Sequence, residues 1–283
     1  MKIRLAALAL TGFVVAGMAT APATAATLTQ RYEKTFPFQA GALLELDNTN
    51  GGVTVEPWNR NEVQIVAEKK VKAPSDEKAR ELMDKLQIAT APSGGGLRVE
   101  TRFPKNGNGL FDWMSGNGTS INVNYTIRVP RQARLDLETT NGGLNVKGTR
   151  GAAALESTNG QVAVQDVEGN LKLETTNGGI HAVDIAGAVE ASTTNGGIEV
   201  SLRDLPDNSK LDFSTTNGGV TVRLPRDVRL TLDAETTNGR ISNDFELDSK
   251  RSGKHHLSGD INGGGGLLKV STTNGSVTIE QLQ

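Results

Sequence analysis

Eight copies of the tripeptide Thr-Asn-Gly, centred on Asn50, Asn141, Asn159, Asn177, Asn195, Asn217, Asn238 and Asn274, leave this chain few architectures. From Asn141 to Asn195 the copies are 18 residues apart, the next intervals are 22 and 21, and the last is 36, or twice 18. A fixed period of this size marks a solenoid, whose repeats bury their apolar faces against one another. Residues six and four before each Asn are apolar, as in Leu135 and Leu137 or Leu211 and Phe213, and, Asn243 apart, so are those three and five after it, as in Leu144 and Val146. Apolar residues at alternate positions describe strands with one buried face.

Each coil is therefore read as a strand ending in Thr-Thr, a corner at Asn-Gly, a second strand, and a return turn near Gly151, Gly169 or Gly187. The corner is assigned to the left-handed backbone that Asn and Gly tolerate. Two-residue hairpins at Asn-Gly are the alternative, but in-register repetition favours coil on coil. The expected fold is all-β: a single-stranded β-solenoid, a β-helix right-handed by analogy, with one short helix in its N-terminal part. Stacking at about 4.8 Å places Asn141, Asn159, Asn177, Asn195, Asn217 and Asn238 in one structural ladder of side-chain amides.

Residues 1–26 carry Lys2 and Arg4, an apolar run from Leu5 to Met18, and small residues at Ala23-Thr24-Ala25. That is the pattern of a secretory signal peptide, too short in its apolar part for a membrane anchor. The remainder divides at residue 134. Residues 27–134 are expected to form a first coil and cap, with a short helix and a long Gly/Asn loop, and residues 135–283 the regular coils. The expected location is the periplasm or the cell surface, with no transmembrane segment in the mature chain. No cysteine is present, so stability rests on the buried core. Without Lys2 and Arg4 there are 28 basic against 32 acidic residues, which argues against a nucleic-acid partner.

In the N-terminal part, Leu44, Leu46, Val53 and Val55 flank the Asn50 corner, and Val63, Ile65 and Ala67 continue the pattern. Ser75 is a helix N-cap, and Asp76 to Leu86 places Ala79, Leu82, Met83 and Leu86 on one face. Such a helix is expected to cover an open solenoid end. The loop Asn106 to Gly118 holds Phe111, Trp113 and Met114, apolar anchors of the kind that partner contacts use. Their alternative is a lid folded onto the first coils.

The C-terminal part departs from the rule. Arg240 replaces the second Gly, Asn243 takes an inward position, and Lys250, Arg251, Lys254, His255 and His256 form a basic cluster, read as a solvated hairpin or an attraction site for anionic glycans or lipid head groups. The last strand, Ser276 to Glu280, is expected at an edge.

No catalytic, metal or cofactor residues stand out. Glu138, Glu156 and Glu174 fall one rung apart on the outer face and are read as solvated. The calcium-binding nonapeptide is rejected because Asp260 precedes the glycines. His181, His255 and His256 are the only histidines, without zinc-ligand spacing. Thr139 and Thr140 point to opposite sides, unlike an ice-binding pair, and the apolar spacing excludes hexapeptide-repeat acyltransferases.

Leu44 to Val55 with its Asn-Gly-Gly, Val129-Pro130 closing the strand from Asn122, and the successive Thr-Thr-Asn-Gly coils together resemble the bacterial putative-adhesin β-strand-repeat family of exported envelope proteins. The likeness spans Phe36 to Gln283. It implies a β-helical domain and carries over no catalytic residue. The functional expectation is a non-enzymatic binding or structural protein of the envelope, adhesin-like, whose partner is an unidentified envelope protein or glycan, with a glycan-active β-helix enzyme as the alternative.

Overall fold

The computed structural model describes residues 25–104 and 118–282. The expected signal peptide, apart from its last two residues, and the anchors Phe111, Trp113 and Met114 lie outside the described residues. The N-terminal part runs β1 (Ala26–Pro37), β2 (Leu43–Asn50), β3 (Val53–Trp58), β4 (Glu62–Ala73), helix α1 (Asp76–Lys85), β5 (Gln87–Ser93), β6 (Gly96–Arg102) and β7 (Ser120–Pro130). The regular coils are pairs of strands: β8 (Arg134–Asn141) with β9 (Leu144–Lys147), β10 (Ala153–Asn159) with β11 (Val162–Glu168), β12 (Leu171–Asn177) with β13 (Ile180–Ala186), β14 (Val189–Asn195) with β15 (Ile198–Asp204), and β16 (Lys210–Asn217) with β17 (Val220–Leu224). The chain then forms β18 (Leu230–Asn238), β19 (Ile241–Asn243), β20 (Asp248–Ser252), β21 (His256–Ile261), β22 (Gly266–Asn274) and β23 (Val277–Gln281).

The strand before each Asn-Gly corner joins one long parallel sheet and the strand after it joins a second, so each coil contributes one rung to both. In-register pairing sets Leu137, Leu155 and Leu173 above one another, and likewise Val146, Val164 and Ala182. These side chains meet between the sheets in one continuous core, and Leu173, Phe213, Val222 and Leu268 are wholly buried. The stack is the expected β-solenoid, with two strands per coil.

Stacking order departs from chain order at both ends. The last coil, β22 and β23, inserts between the β16/β17 coil and the β18/β19 coil. The expectation that Ser276 to Glu280 forms an edge is therefore wrong: β23 is paired on both sides, by β17 and β19. The double interval between Asn238 and Asn274 holds the antiparallel hairpin of β20 and β21, which extends the first sheet beyond β18. At the other end the β6/β7 coil lies outside β2/β3. Val63, Ile65 and Ala67 belong to no coil, since β4 runs antiparallel between β1 and β7.

Helix α1 begins where Ser75 Oγ accepts from the Lys78 N–H (3.2 Å) and ends as Leu86 turns extended. Its apolar side, Ala79, Leu82 and Met83, packs on β1 and β4. Lys69 Nζ reaches the Leu86 carbonyl (3.1 Å) and ties the helix end to the sheet.

Candidate functional site

At the corners, Asn141 Nδ2 donates to Asn50 Oδ1 (2.7 Å), Asn159 to Asn141 (2.8 Å), Asn177 to Asn159 (2.8 Å), Asn195 to Asn177 (2.9 Å) and Asn217 to Asn195 (2.8 Å). Asn274 then donates to Asn217 and Asn238 to Asn274, both at 2.9 Å, which completes the column. A second ladder runs just inside it. The buried hydroxyls of Ser157, Thr175 and Thr193 donate to the carbonyls of Gly142, Gly160 and Gly178 in the neighbouring rung. Each coil thus satisfies the polar groups of the next, as buried polar groups require.

The left-handed backbone expected at these corners is absent from the regular coils: none of the corner Asn residues has positive φ, and among the Gly that follow them only Gly51 does (φ 124°). Glycine is required by close stacking instead. A Cβ on Gly160 would lie 1.9 Å from the Gly142 carbonyl oxygen, and one on Gly178 2.0 Å from that of Gly160. Left-handed residues occur elsewhere, at Asp166 (φ 51°) and Asp184 (φ 61°), where the second strand bulges to turn Val167 and Ile185 inward.

On the outer face of the first sheet Glu138, Glu156 and Glu174 share a column, as their spacing predicts, and Asp47 and Glu100 extend it. Burial, then the neighbouring Glu100, raises the Asp47 pKa; burial, then Asp47 and Glu156, raises that of Glu138. Asp47 was legible from its place three residues before Asn50. Glu100 was not, because its strand has no Asn-Gly corner. Among the described residues no three His, Asp or Glu side chains are grouped to hold a metal ion.

The second sheet carries paired charges. Arg203 bonds Asp166 (2.8 Å) and Glu168 (2.6 Å), and Arg223 bridges Glu199 and Glu280. His181 is half-exposed, 3.3 Å from Glu199. Where return turns leave small residues, Ala152, Ala154 and Ala188, a groove of about 450 Å³ opens. Arg134, Asp136, Lys172, Glu190, Lys210 and Asp212 rim it. Lys172 and Lys210 are held by Glu174 (3.2 Å) and Asp212 (3.1 Å) on their own strands.

The basic segment is the hairpin expected. All five residues of β20 are exposed, and no ion pair is present for Lys250, Arg251 or Lys254 among the described residues. The turn between β20 and β21 has a cavity on each side. One, of about 540 Å³, lies against the strand ends at Glu235, Thr237 and Thr273. The other, of about 420 Å³, lies at the end of the stack beside Asn243 and Phe245.

Parallel rungs in two facing sheets, joined at the Asn-Gly corners by an amide ladder, define a two-sheet β-solenoid. Residues 135–280 match the Toastrack DUF4097 family, and the chain belongs to it. Similar solved structures include a putative cell adhesion protein from Clostridium sporogenes ATCC 15579, 14% identical, with a TM-score of 0.36, covering 89% of this chain and 100% of its own. A putative adhesin from Bacteroides fragilis NCTC 9343 is 12% identical, with a TM-score of 0.31 and coverage of 89% and 97%. A putative lipid binding protein from Parabacteroides distasonis ATCC 8503 is 11% identical, with a TM-score of 0.37 and coverage of 90% and 97%. No curated protein matches the chain.

Proposed function

We propose that this protein is an exported, non-enzymatic β-solenoid that binds a component of the cell envelope, adhesin-like in character. One contrast carries the reading. Along the regular coils Arg150, Lys172, Arg203, Lys210 and Arg223 are engaged by carboxylates of the same chain and the unpaired Lys147 and Lys269 stand singly, whereas Lys250, Arg251 and Lys254 lie together, exposed and without an ion pair among the described residues, on the hairpin that interrupts the C-terminal coils. Unpaired cations on a hairpin at the end of a rigid stack form a surface suited to a partner. Phe111, Trp113 and Met114, carried between β6 and β7 at the other end of the strand order, are proposed as a separate, apolar contact.

A pull-down from envelope extract, combined with a glycan array, tests the reading. A triple substitution of Lys250, Arg251 and Lys254 by Gln is expected to lose the partner while unfolding at the same denaturant concentration. Retention of the partner by that variant removes the hairpin from the contact, and failure of the wild type to enrich any envelope component counts against the whole reading. Mass spectrometry of the secreted chain is expected to find its N-terminus at Ala26 or Thr27; a chain retaining Met1 in the envelope fraction would contradict export by cleavage.

One observation favours a glycan-active enzyme as the second reading: the 450 Å³ groove sets Glu190 beside Asp212 on adjacent rungs, with Arg134, Asp136, Lys172 and Lys210 along the same rim. Paired carboxylates in a groove are what glycoside hydrolysis employs. Release of reducing ends from an envelope glycan by the wild type, abolished in Glu190→Gln with Asp212→Asn, would establish the enzyme and displace the binding reading.

A further inference from the structure

Each Thr-Asn-Gly corner is a place where the main chain can react with its own side chain. The glycine lacks the Cβ that would shield its backbone nitrogen, and that nitrogen can attack the preceding side-chain amide. Attack joins the Gly nitrogen to Asn Cγ and breaks the Cγ–Nδ2 bond; the N–H proton, carried by solvent, leaves with the ammonia. Water then opens the succinimide ring at either carbonyl and leaves aspartate or isoaspartate. The reaction needs no oxidant and no second protein.

Two sets of hydrogen bonds oppose it along the stack. The Gly N–H donates to the Asn carbonyl of the next rung: Gly51 to Asn141 (2.8 Å), Gly142 to Asn159 (3.1 Å), and Gly160, Gly178, Gly196 and Gly218 to Asn177, Asn195, Asn217 and Asn274 (each 3.0 Å). An N–H committed to a carbonyl does not hand its proton to solvent, and only the deprotonated nitrogen attacks. The amide of each interior Asn is also held at both ends, Nδ2 by the rung on one side and Oδ1 by the rung on the other, so Cγ cannot swing toward the glycine.

The two ends of the column differ. Asn50 is buried, and the Gly51 N–H is bonded. Asn238 is exposed, only its Nδ2 is held, by Asn274 (2.9 Å), and neither its Oδ1 nor the Gly239 N–H has a partner among the described residues. Strand β21 covers β18 from Leu230 to Glu235 and stops short of this corner. The Gly275 N–H is likewise free, but the Asn274 amide is bonded on both sides.

We propose that Asn238 is a site of self-modification, the corner among the eight at which the chain first converts Asn to isoaspartate and aspartate. A free nucleophile and a half-released amide coincide there. The product sets a carboxylate where the ladder had a donor, so the bond to Asn274 is lost and two oxygens face each other. Isoaspartate also adds a methylene to the main chain between β18 and β19. Conversion therefore loosens the end rung and leaves the interior rungs intact.

The test incubates the full mature chain, folded, in mildly alkaline buffer, and scores each Asn-Gly peptide over time by mass spectrometry for ammonia loss and for isoaspartate. Asn238 is expected to convert first and Asn274 second. Asn159, Asn177 and Asn195 should react about tenfold more slowly than Asn238, the rate equivalent of one hydrogen bond at about 1.4 kcal/mol. In denaturant, where the rungs are gone, the corners are expected to react at a common rate. In Asn177→Ala, Asn159 loses the donor to its Oδ1 while the Gly160 N–H keeps its backbone carbonyl. Asn159 is then expected to speed up but to stay slower than Asn238, and a rate equal to that of Asn238 would deny the free Gly239 N–H its role and overturn the proposal. Conversion of Asn177 as fast as Asn238 in the folded wild type overturns it as well. So does the same ranking in denaturant, which would trace it to local sequence, and so does aspartate without isoaspartate, the mark of direct hydrolysis with no attack by the glycine nitrogen.

Discussion

Asn274 bonds Asn217 on one side and Asn238 on the other, each at 2.9 Å, so the last coil of the chain is an interior rung of the stack. Deletion of residues 264–283 should therefore remove the middle of the C-terminal end and strand β18 and β19 with their inner faces open. Loss of amide-exchange protection is expected through β16–β19, with aggregation from the exposed apolar strands. Protection unchanged outside the deleted residues would show that the rung is dispensable.

Leu173 is wholly buried, whereas Asn177 sits on the exposed ladder. Leu173→Ala is expected to cost about 2–5 kcal/mol by opening a core cavity, and Asn177→Ala about 0.5–1.5 kcal/mol by breaking two ladder bonds at the surface. Denaturant unfolding of the two variants gives the comparison, and equal losses would contradict the burial described.

The two glycines of one corner should differ. Gly178→Ala drives a methyl to 2.0 Å from the Gly160 carbonyl oxygen, where the backbone of the adjacent rung must move, at a cost of about 1–3 kcal/mol or more. A Cβ on Gly179 meets first the end of the His181 side chain, at 3.2 Å, which can swing away. Gly179→Ala is expected within about 0.5 kcal/mol of the wild type. The pair measured by thermal and chemical unfolding decides whether close stacking is the cause of the Gly requirement.

Asp47 and Glu138 have raised pKa values, the first by burial and then Glu100, the second by burial and then Asp47. A carboxyl raised in the folded state ionises more easily in the unfolded chain. Its stabilising share is therefore full below the unfolded pKa and lost as pH rises through the folded value. Asp47→Asn combined with Glu138→Gln should raise stability at pH 7 by about 0.2–1 kcal/mol, since the column is solvent-screened. The gain should vanish at about pH 3, below the ordinary carboxylate range. A larger gain in acid than at neutral pH would reverse the sign argued here.

The coil, its two buried faces and its amide column were all written in the Thr-Asn-Gly spacing, because alternation sets which side chains turn inward and a fixed period sets which ones stack. Helix α1 was equally legible from Ser75 and the apolar face of Ala79, Leu82 and Met83. The order of the rungs was not. From β8/β9 to β22/β23 every coil offers its neighbours the same Asn amide, a Ser or Thr hydroxyl and the same Gly carbonyl, so local chemistry makes any of these coils a fitting partner for any other. Tertiary structure settles the order: the β20–β21 hairpin occupies the edge beyond β18, and the chain returns to place β22 between β18 and β16. The candidate site divides the same way. Asn243 and the basic segment stood out as breaks in a period, but that Asn243, Phe245, Lys250 and Lys254 enclose one cavity depends on strands far apart in the chain closing a single open end.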